Sequence, residues 1–485
     1  MIHTGQIAEG KLKNLLVLIC TKNIHLSVIV HLFEWKWADI ALECEHFLAP
    51  KGFAGVQVSP PTENSVIESR PWWERFQPVS YKVDTRSGTE AEFLDMTRRC
   101  NAVGIRIYVD LVINHMSATT GMGTAGSTAN EQSFDYPAVP YTSADFHKSC
   151  EIDENDTLSI RSCQLYGLPD LDQSNENVRA KIVEMMNHLI ELGVAGFRVG
   201  AIKHMEPEDL QNIFGRLNNL NVEFGFAADA RAFIIGQIDV HSNDLISGTE
   251  YFSIGIVTEF RFSNGIAKSF RGQSALKWLN IFGEGWGMFP SDRVFTFVDN
   301  HDSQRDGALN YKDGRLYKMA TAFHLAWPYG IPRVMSSFEF LERDQGPPQD
   351  LIENLLSPTF NADGSCNNGW VCEHRWIEIA NMVGFRNIVR GTNVSNWWDN
   401  GDNQIAFARG NRGFIAFNGQ SGQNLSQRLQ TDLSGGTYCD IISGSKVGNV
   451  CSGASFLVAS DGQAEIKIPS NHATGVIAFH ADSRL

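Results

Sequence analysis

Short runs of β-branched and aromatic residues alternate with longer stretches of helical periodicity over residues 27–338. The apolar runs are SVIVHLFEW (27–35), GFAGVQVSP (52–60), IRIYVDLVINH (105–115), GVAGFRV (193–199), AFIIGQ (232–237), VTEFRF (257–262), VFTFVDNHD (294–302) and IPRVMSSF (331–338). Amphipathic segments such as ADIALECEHFLAP and NVRAKIVEMMNHLIELG lie between them, the latter placing Val178, Ile182, Met185 and Leu189 on one helical face. Strands alternating with helices build parallel sheets, and eight of them predict an α/β fold, a (β/α)8 TIM barrel over 25–113 and 173–392. About 75 residues separate the third and fourth runs. A plain loop is rarely so long, so residues 114–172 are expected to form a small inserted domain. After residue 392 the pattern changes to close alternation with tight turns, as in NQIAFARGNRGFIAFNG. This predicts an all-β C-terminal domain over 393–485.

Composition narrows the partners. At 43% hydrophobic and 20% charged residues the chain is an ordinary globular protein. Its net charge of −15 argues against nucleic acid, which selects basic faces. Three close cysteine pairs, Cys150 with Cys163, Cys366 with Cys372 and Cys439 with Cys451, occur without CxxC or zinc spacing. Short disulfide-closed loops and an oxidising compartment are therefore expected, hence secretion. The triplets at Asn155, Asn393 and Asn424 are compatible with it. Residues 1–24 read as an atypical leader, because the apolar run of KLKNLLVLICTKNIHLSVIV is broken by Thr21, Lys22 and Asn23. No other segment is long and apolar enough to span a membrane.

Barrel enzymes carry their chemistry at the C-terminal ends of the strands. Here those ends hold Asp110, Asn114 and His115, then Arg198, Lys203 and His204, then Gln237, then Asn300, His301 and Asp302. Each alone could be a cap or a satisfied core residue. Four strand ends rich in polar groups point to a site.

DLVINH (110–115), GFRVGAIKH (196–204) and FVDNHD (297–302) resemble the signature segments of the α-amylase family of glycoside hydrolases. HLFEWKWADIALECE, GVQVSPP, RPWWERFQPVSYK and WVCEHRW resemble animal α-amylases in particular. The resemblance runs from residue 31 to residue 376 and implies the barrel, the inserted domain and a C-terminal Greek-key β-sandwich. It also implies hydrolysis of α-1,4 glucosidic bonds with retention, by a carboxylate nucleophile and a carboxylic acid roughly 5 Å apart. By the family pattern the nucleophile position is Gly200 and the acid/base position is Gln237, leaving Asp302 as the remaining carboxylate. Glycine cannot attack an anomeric carbon, and an amide is no proton donor of tuned acidity. Asp239, about 6–7 Å further along the strand than Gln237, and Asp229 before it are weak substitutes.

The resemblance further implies structural calcium at Asn114, Asp170 and the backbone carbonyls of Arg161 and His204, an oxygen set suited to a hard cation. Chloride is implied at Arg198, Asn300 and Arg333. Sugar contacts are implied at Trp72, Trp73, Phe76 (where the family usually has tyrosine), Gln77, Asp110, His115, Arg198, Lys203, His204 and His301. SQRDGALNYKDGRLYK is shorter than the glycine-rich mobile loop of animal amylases and lacks its histidine. Disulfides are implied for Cys44 with Cys100 and for the three close pairs, with Cys20 left over. The expectation is a secreted monomeric amylase-like protein, catalytically disabled and possibly still holding an α-glucan or maltooligosaccharide. The alternative is an active α-amylase cutting internal bonds of starch and glycogen.

Overall fold

The computed structural model describes residues 27–239 and 244–485. The expected leader and Cys20 lie outside the described residues. Three strands open the chain: β1 (Ile29–Leu32), β2 (Gly55–Val58) and β3 (Arg106–Leu111). The two short strands β4 (Gly121–Met122) and β5 (Thr128–Ala129) pair antiparallel in the long segment that follows. Then come β6 (Gly196–Val199), β7 (Phe233–Gly236), β8 (Ile256–Thr258), β9 (Val294–Phe297) and β10 (Ile331–Ser336). Omitting β4 and β5, these strands close a parallel barrel in the order β1-β10-β9-β8-β7-β6-β3-β2.

The strands are short and buried on both faces, which is why they read as continuous apolar runs and not as alternation. Glycine sets their closest approaches. A Cβ on Gly196 would stand 2.2 Å from the Phe233 carbonyl oxygen of β7, and one on Gly55 would meet the Tyr108 ring at 2.6 Å. The helix Glu176–Glu191 buries Val178, Ile182, Met185 and Leu189, as its periodicity predicts. VTEFRF needs correction: β8 ends at Thr258, and Phe260 opens a helix running to Phe270. Glu259 is its N-cap, its carboxylate accepting from Arg261 N, so Phe262 serves a helical face. The barrel core is continuous with the helical layer around it.

Two two-stranded ribbons, β11 (Thr359–Phe360) with β12 (Cys366–Asn367) and β18 (Lys446–Val447) with β19 (Val450–Cys451), decorate the surface. The C-terminal part is a β-sandwich. One antiparallel sheet has the order β13 (Val394–Asp399), β14 (Gln404–Arg409), β15 (Gly413–Asn418), β22 (Val476–His480). The other is β16 (Leu425–Gln430), β21 (Gln463–Ile468), β20 (Ser455–Val458), β17 (Gly436–Cys439). Phe414, Leu425, Tyr438, Ile466 and Phe479 contribute to the core that both sheets share. Four disulfides form, Cys44–Cys100, Cys150–Cys163, Cys366–Cys372 and Cys439–Cys451.

Candidate active site

A polar layer lies inside the C-terminal mouth of the barrel. In register, His31 of β1 faces Gln57 of β2, and Asp110 of β3 faces Arg198 of β6. Side chains in register on neighbouring parallel strands leave the sheet on the same face, so these groups meet. Arg198 Nη1 donates to Asp110 at 2.8 Å and Gln57 Nε2 donates to its other oxygen at 3.1 Å. Gln57 Oε1 in turn accepts from Arg333 Nη1 at 2.9 Å. One amide thus ties a buried ion pair to a second guanidinium, the kind of pairing that buried charge requires. Burial, with repulsion from Arg198, pulls Arg333 down to about 10.

The Nε atoms of Arg198 and Arg333 are buried without a protein partner. Asn300 is buried too, its Oδ1 accepting from Asp302 N (2.9 Å) and Ser303 N (2.6 Å). Two guanidiniums with orphaned donors fit a monovalent anion such as chloride. A second set lies where β3 runs out. Asn114 Oδ1 is buried without a partner, Asn114 Nδ2 is 3.3 Å from Asp170 Oδ1, and His147 Nδ1 is 2.7 Å from Asp170 Oδ2. The His204 ring bonds the Ile160 carbonyl at 2.8 Å, bringing His204 beside the residue preceding Arg161. Burial pushes the Asp170 carboxyl up to about 6, which a cation would reverse. An unpaired amide oxygen and a destabilised carboxylate fit calcium.

Gly200 follows β6, its N–H donating to Leu111 O at 3.0 Å. A Cβ built on it would meet Arg198 Nη1 at 3.4 Å, Leu111 O at 3.6 Å and Gln237 Oε1 at 3.9 Å. These are ordinary contacts, and none of the three atoms belongs to a carboxylate. Gln237 Oε1 accepts from Ala201 N at 2.9 Å, so positions 200 and 237 stand side by side. Ala201 takes the left-handed region (φ 54°) in making this turn. Asp229 and Asp239 are both exposed, and Asp229 precedes β7, at the end of the strand away from this mouth.

Asp302 closes the site. Its side chain keeps 43% of its surface open, but desolvation by the cleft walls, aided by the Asp110 charge and opposed by Arg198 and Arg305, pushes the carboxyl up to about 6. His301 Nε2 lies 3.3 Å from Asp302 Oδ2, and its ring stacks on Phe76 with centroids 4.9 Å apart. Burial and the surrounding guanidiniums hold His301 well below the usual imidazole range. His115 is buried, with Nε2 3.0 Å from Phe76 O, and burial brings it down to about 4. Lys203 Nζ reaches Asp244 at 3.0 Å, and Gln77 Oε1 accepts from Ala118 N at 3.1 Å.

Trp72 and Trp73 divide. Trp72 is 6% exposed, packed edge-on against Phe33, Phe76 and His301, and donates to Arg343 O at 3.0 Å. Trp73 is half-buried and borders an open cavity of about 1100 Å³ with Tyr311, Lys312, Phe340 and Asp344. That cavity does not touch Gly200 or Gln237, so cavity shape alone would miss the site. Sequence reasoning also missed His31, Gln57 and Arg305. Both His31 nitrogens are buried without partners, and Arg305 sits among Trp72, Phe338 and Phe340 at 5.0, 5.2 and 4.2 Å. A signal existed for two of them: His31 and Gln57 are polar residues inside fully buried four-residue strands. His31, Asp110 and His301 converge closely enough to suggest a metal, but Arg198 and Arg333 bear on the same point and repel a cation.

This barrel with its C-terminal sandwich and its mouth of paired arginines, histidines and Asp302 defines a glycoside-hydrolase scaffold, and the chain belongs to the animal-type α-amylase family. The family descriptions "Alpha amylase, catalytic domain" and "Alpha amylase, C-terminal all-beta domain" match residues 52–223 and 395–482. It is similar to the "Alpha-amylase-related protein" of Drosophila bipectinata, 57% identical over 95% of this chain and 94% of that one. The same protein of Drosophila pseudoobscura pseudoobscura is 58% identical over the same shares. Among solved structures, α-amylase I of Eisenia fetida matches at 42% identity and a TM-score of 0.89, over 94% of this chain and 97% of that one, in a glutamate-to-glutamine variant complexed with maltohexaose.

Proposed function

We propose that this chain is a catalytically disabled α-amylase relative that binds α-glucan without cutting it. The carrying observation is the pair of neighbours Gly200 and Gln237, with no carboxylate among the atoms nearest the nucleophile position. Retention needs one carboxylate to attack and a second to give a proton. Asp302 alone can do neither in sequence, since it would have to serve both faces of one bond. In other hydrolases, loss of one member of a catalytic set costs about 10⁴–10⁶ in rate. Asp302, His301, His115, Phe76 and Trp73 supply hydroxyl and ring contacts, and Lys203, His204, Gln77 and Asp110 belong to the same proposed set. The solved relative crystallised with maltohexaose while carrying glutamine for a glutamate, which supports binding without turnover. Calcium at Asn114, Arg161, Asp170 and His204 would brace segment 114–172 against the barrel. Chloride at Arg198, Asn300 and Arg333 would balance the buried guanidiniums. Four disulfides support an extracellular location.

The test is starch hydrolysis with calcium and chloride, before and after Gly200→Asp combined with Gln237→Glu. The unmodified chain is expected to be silent and the double variant to gain at least about 10⁴-fold. Hydrolysis by the unmodified chain at the rate of the double variant would refute the proposal.

A further inference from the structure

We infer that the space over Gly200 is a seat for a small monovalent anion of carboxylate size, and that an anion seated there acts as the nucleophile the chain lacks. The inference rests on the reading of Gly200 as the nucleophile position.

Three observations carry it. A Cβ at Gly200 meets nothing closer than 3.4 Å, so the space is open and not refilled by a neighbouring side chain. The nearest atom is cationic, Arg198 Nη1, and Arg198 is engaged by Asp110 through that nitrogen alone among its described bonds, while its Nε is buried without a partner. Gln237 has its oxygen held by Ala201 N–H at 2.9 Å, which leaves its NH₂ end as a donor at the rim of the same space. A guanidinium and an amide N–H around an open volume favour an anion. Leu111 O also borders the space, but Gly200 N–H already donates to it. The mutual repulsion of Arg198 and Arg333 adds positive potential beneath the seat.

The reaction follows from what is left. Because Gln237 cannot protonate a leaving oxygen, the substrate class is a maltooligosaccharyl donor whose leaving group departs unprotonated, such as α-maltosyl fluoride. Azide attacks the anomeric carbon from the Gly200 side; a nitrogen–carbon bond forms as the carbon–fluorine bond breaks, and the bonding pair leaves with fluoride. No proton is transferred, and the product is β-maltosyl azide.

The experiment uses the full chain at constant calcium and chloride, with α-maltosyl fluoride and sodium azide or sodium formate, following fluoride release and product anomer, with maltoheptaose affinity measured in parallel. Fluoride release is expected to rise about tenfold or more, saturably with azide, and to yield the β-azide. Gly200→Val, which fills the space, should abolish the azide response while maltoheptaose affinity persists. Gly200→Asp should release fluoride without azide. Maltoheptaose binding with no azide response would overturn this inference and leave the disabled reading standing. Rapid azide-independent release by the unmodified chain would overturn both.

Discussion

Single side chains decide what this barrel can do. Gly200 and Gln237 remove the attacking oxygen and the proton donor, while the groups around them stay paired: Asp110 with Arg198 and Gln57, Asn300 with the backbone of Asp302. Two predictions belong to this scale. If Asn114 holds calcium through its unpartnered oxygen, chelation should lower the melting temperature by several degrees, since a ligand bound only to the folded state stabilises by mass action. Asn114→Ala should reproduce the loss and make the melting curve insensitive to the chelator. The second prediction concerns Glu373, fully buried, one oxygen accepting from Ser337 N at 2.6 Å and the other without a partner. Burial pushes it up to about 7 against the Ser337 bond, from an ordinary value of 4.5. The folded chain therefore holds this proton more tightly than the unfolded chain. Its contribution is fully present below about 4.5 and is lost as pH rises through about 7. Glu373→Gln should stabilise the protein relative to the unmodified chain at pH 8 by roughly 1–3 kcal/mol and lose that advantage at pH 4, read from denaturant midpoints at the two values. An equal effect at both would disprove the titration.

At the scale of elements, strand brevity and close approach shape the mouth. β6 and β7 come together because Gly196 has no side chain to hold them apart, and Gly200 and Gln237 sit just past their ends. Gly196→Ala places a methyl 2.2 Å from a backbone oxygen that cannot swing aside. The expected cost is about 3 kcal/mol or more, measured by chemical denaturation. A cost under about 0.5 kcal/mol would mean that the two strands separate freely. Most elements were legible in the sequence. The helix Glu176–Glu191 followed from periodicity, and the barrel strands from apolar runs bounded by polar ends. VTEFRF was not, because a short apolar run has no period long enough to separate strand from helix, and the Glu259 cap decided for helix after Thr258. Trp72 shows the same limit at the site. Its sequence reads as a sugar platform, while in the fold its ring is enclosed by Phe33, Phe76 and His301.

Across the whole molecule, distant segments are fastened by few links. Cys44–Cys100 joins residues 56 apart around β2 and its flanking helices. Restricting a loop of that length in the unfolded chain is worth about 4 kcal/mol. Replacing both cysteines by alanine should lower stability by roughly that amount, while removal of Cys439–Cys451, which spans 12 residues, should cost less. Equal losses would show that chain entropy is not the source.

The sequence by itself determined the fold class and the missing chemistry. Hydrophobic period separates barrel from sandwich, and glycine or glutamine at a reacting position lacks the needed group in any conformation. Only the tertiary structure decided what surrounds that lack. That Arg198 borders an open space at Gly200, that Gln57 bridges Asp110 to Arg333, and that Asp229 and Asp239 stay exposed are facts of strand register and barrel closure. Register is fixed by packing between segments remote in the chain, which no local pattern encodes.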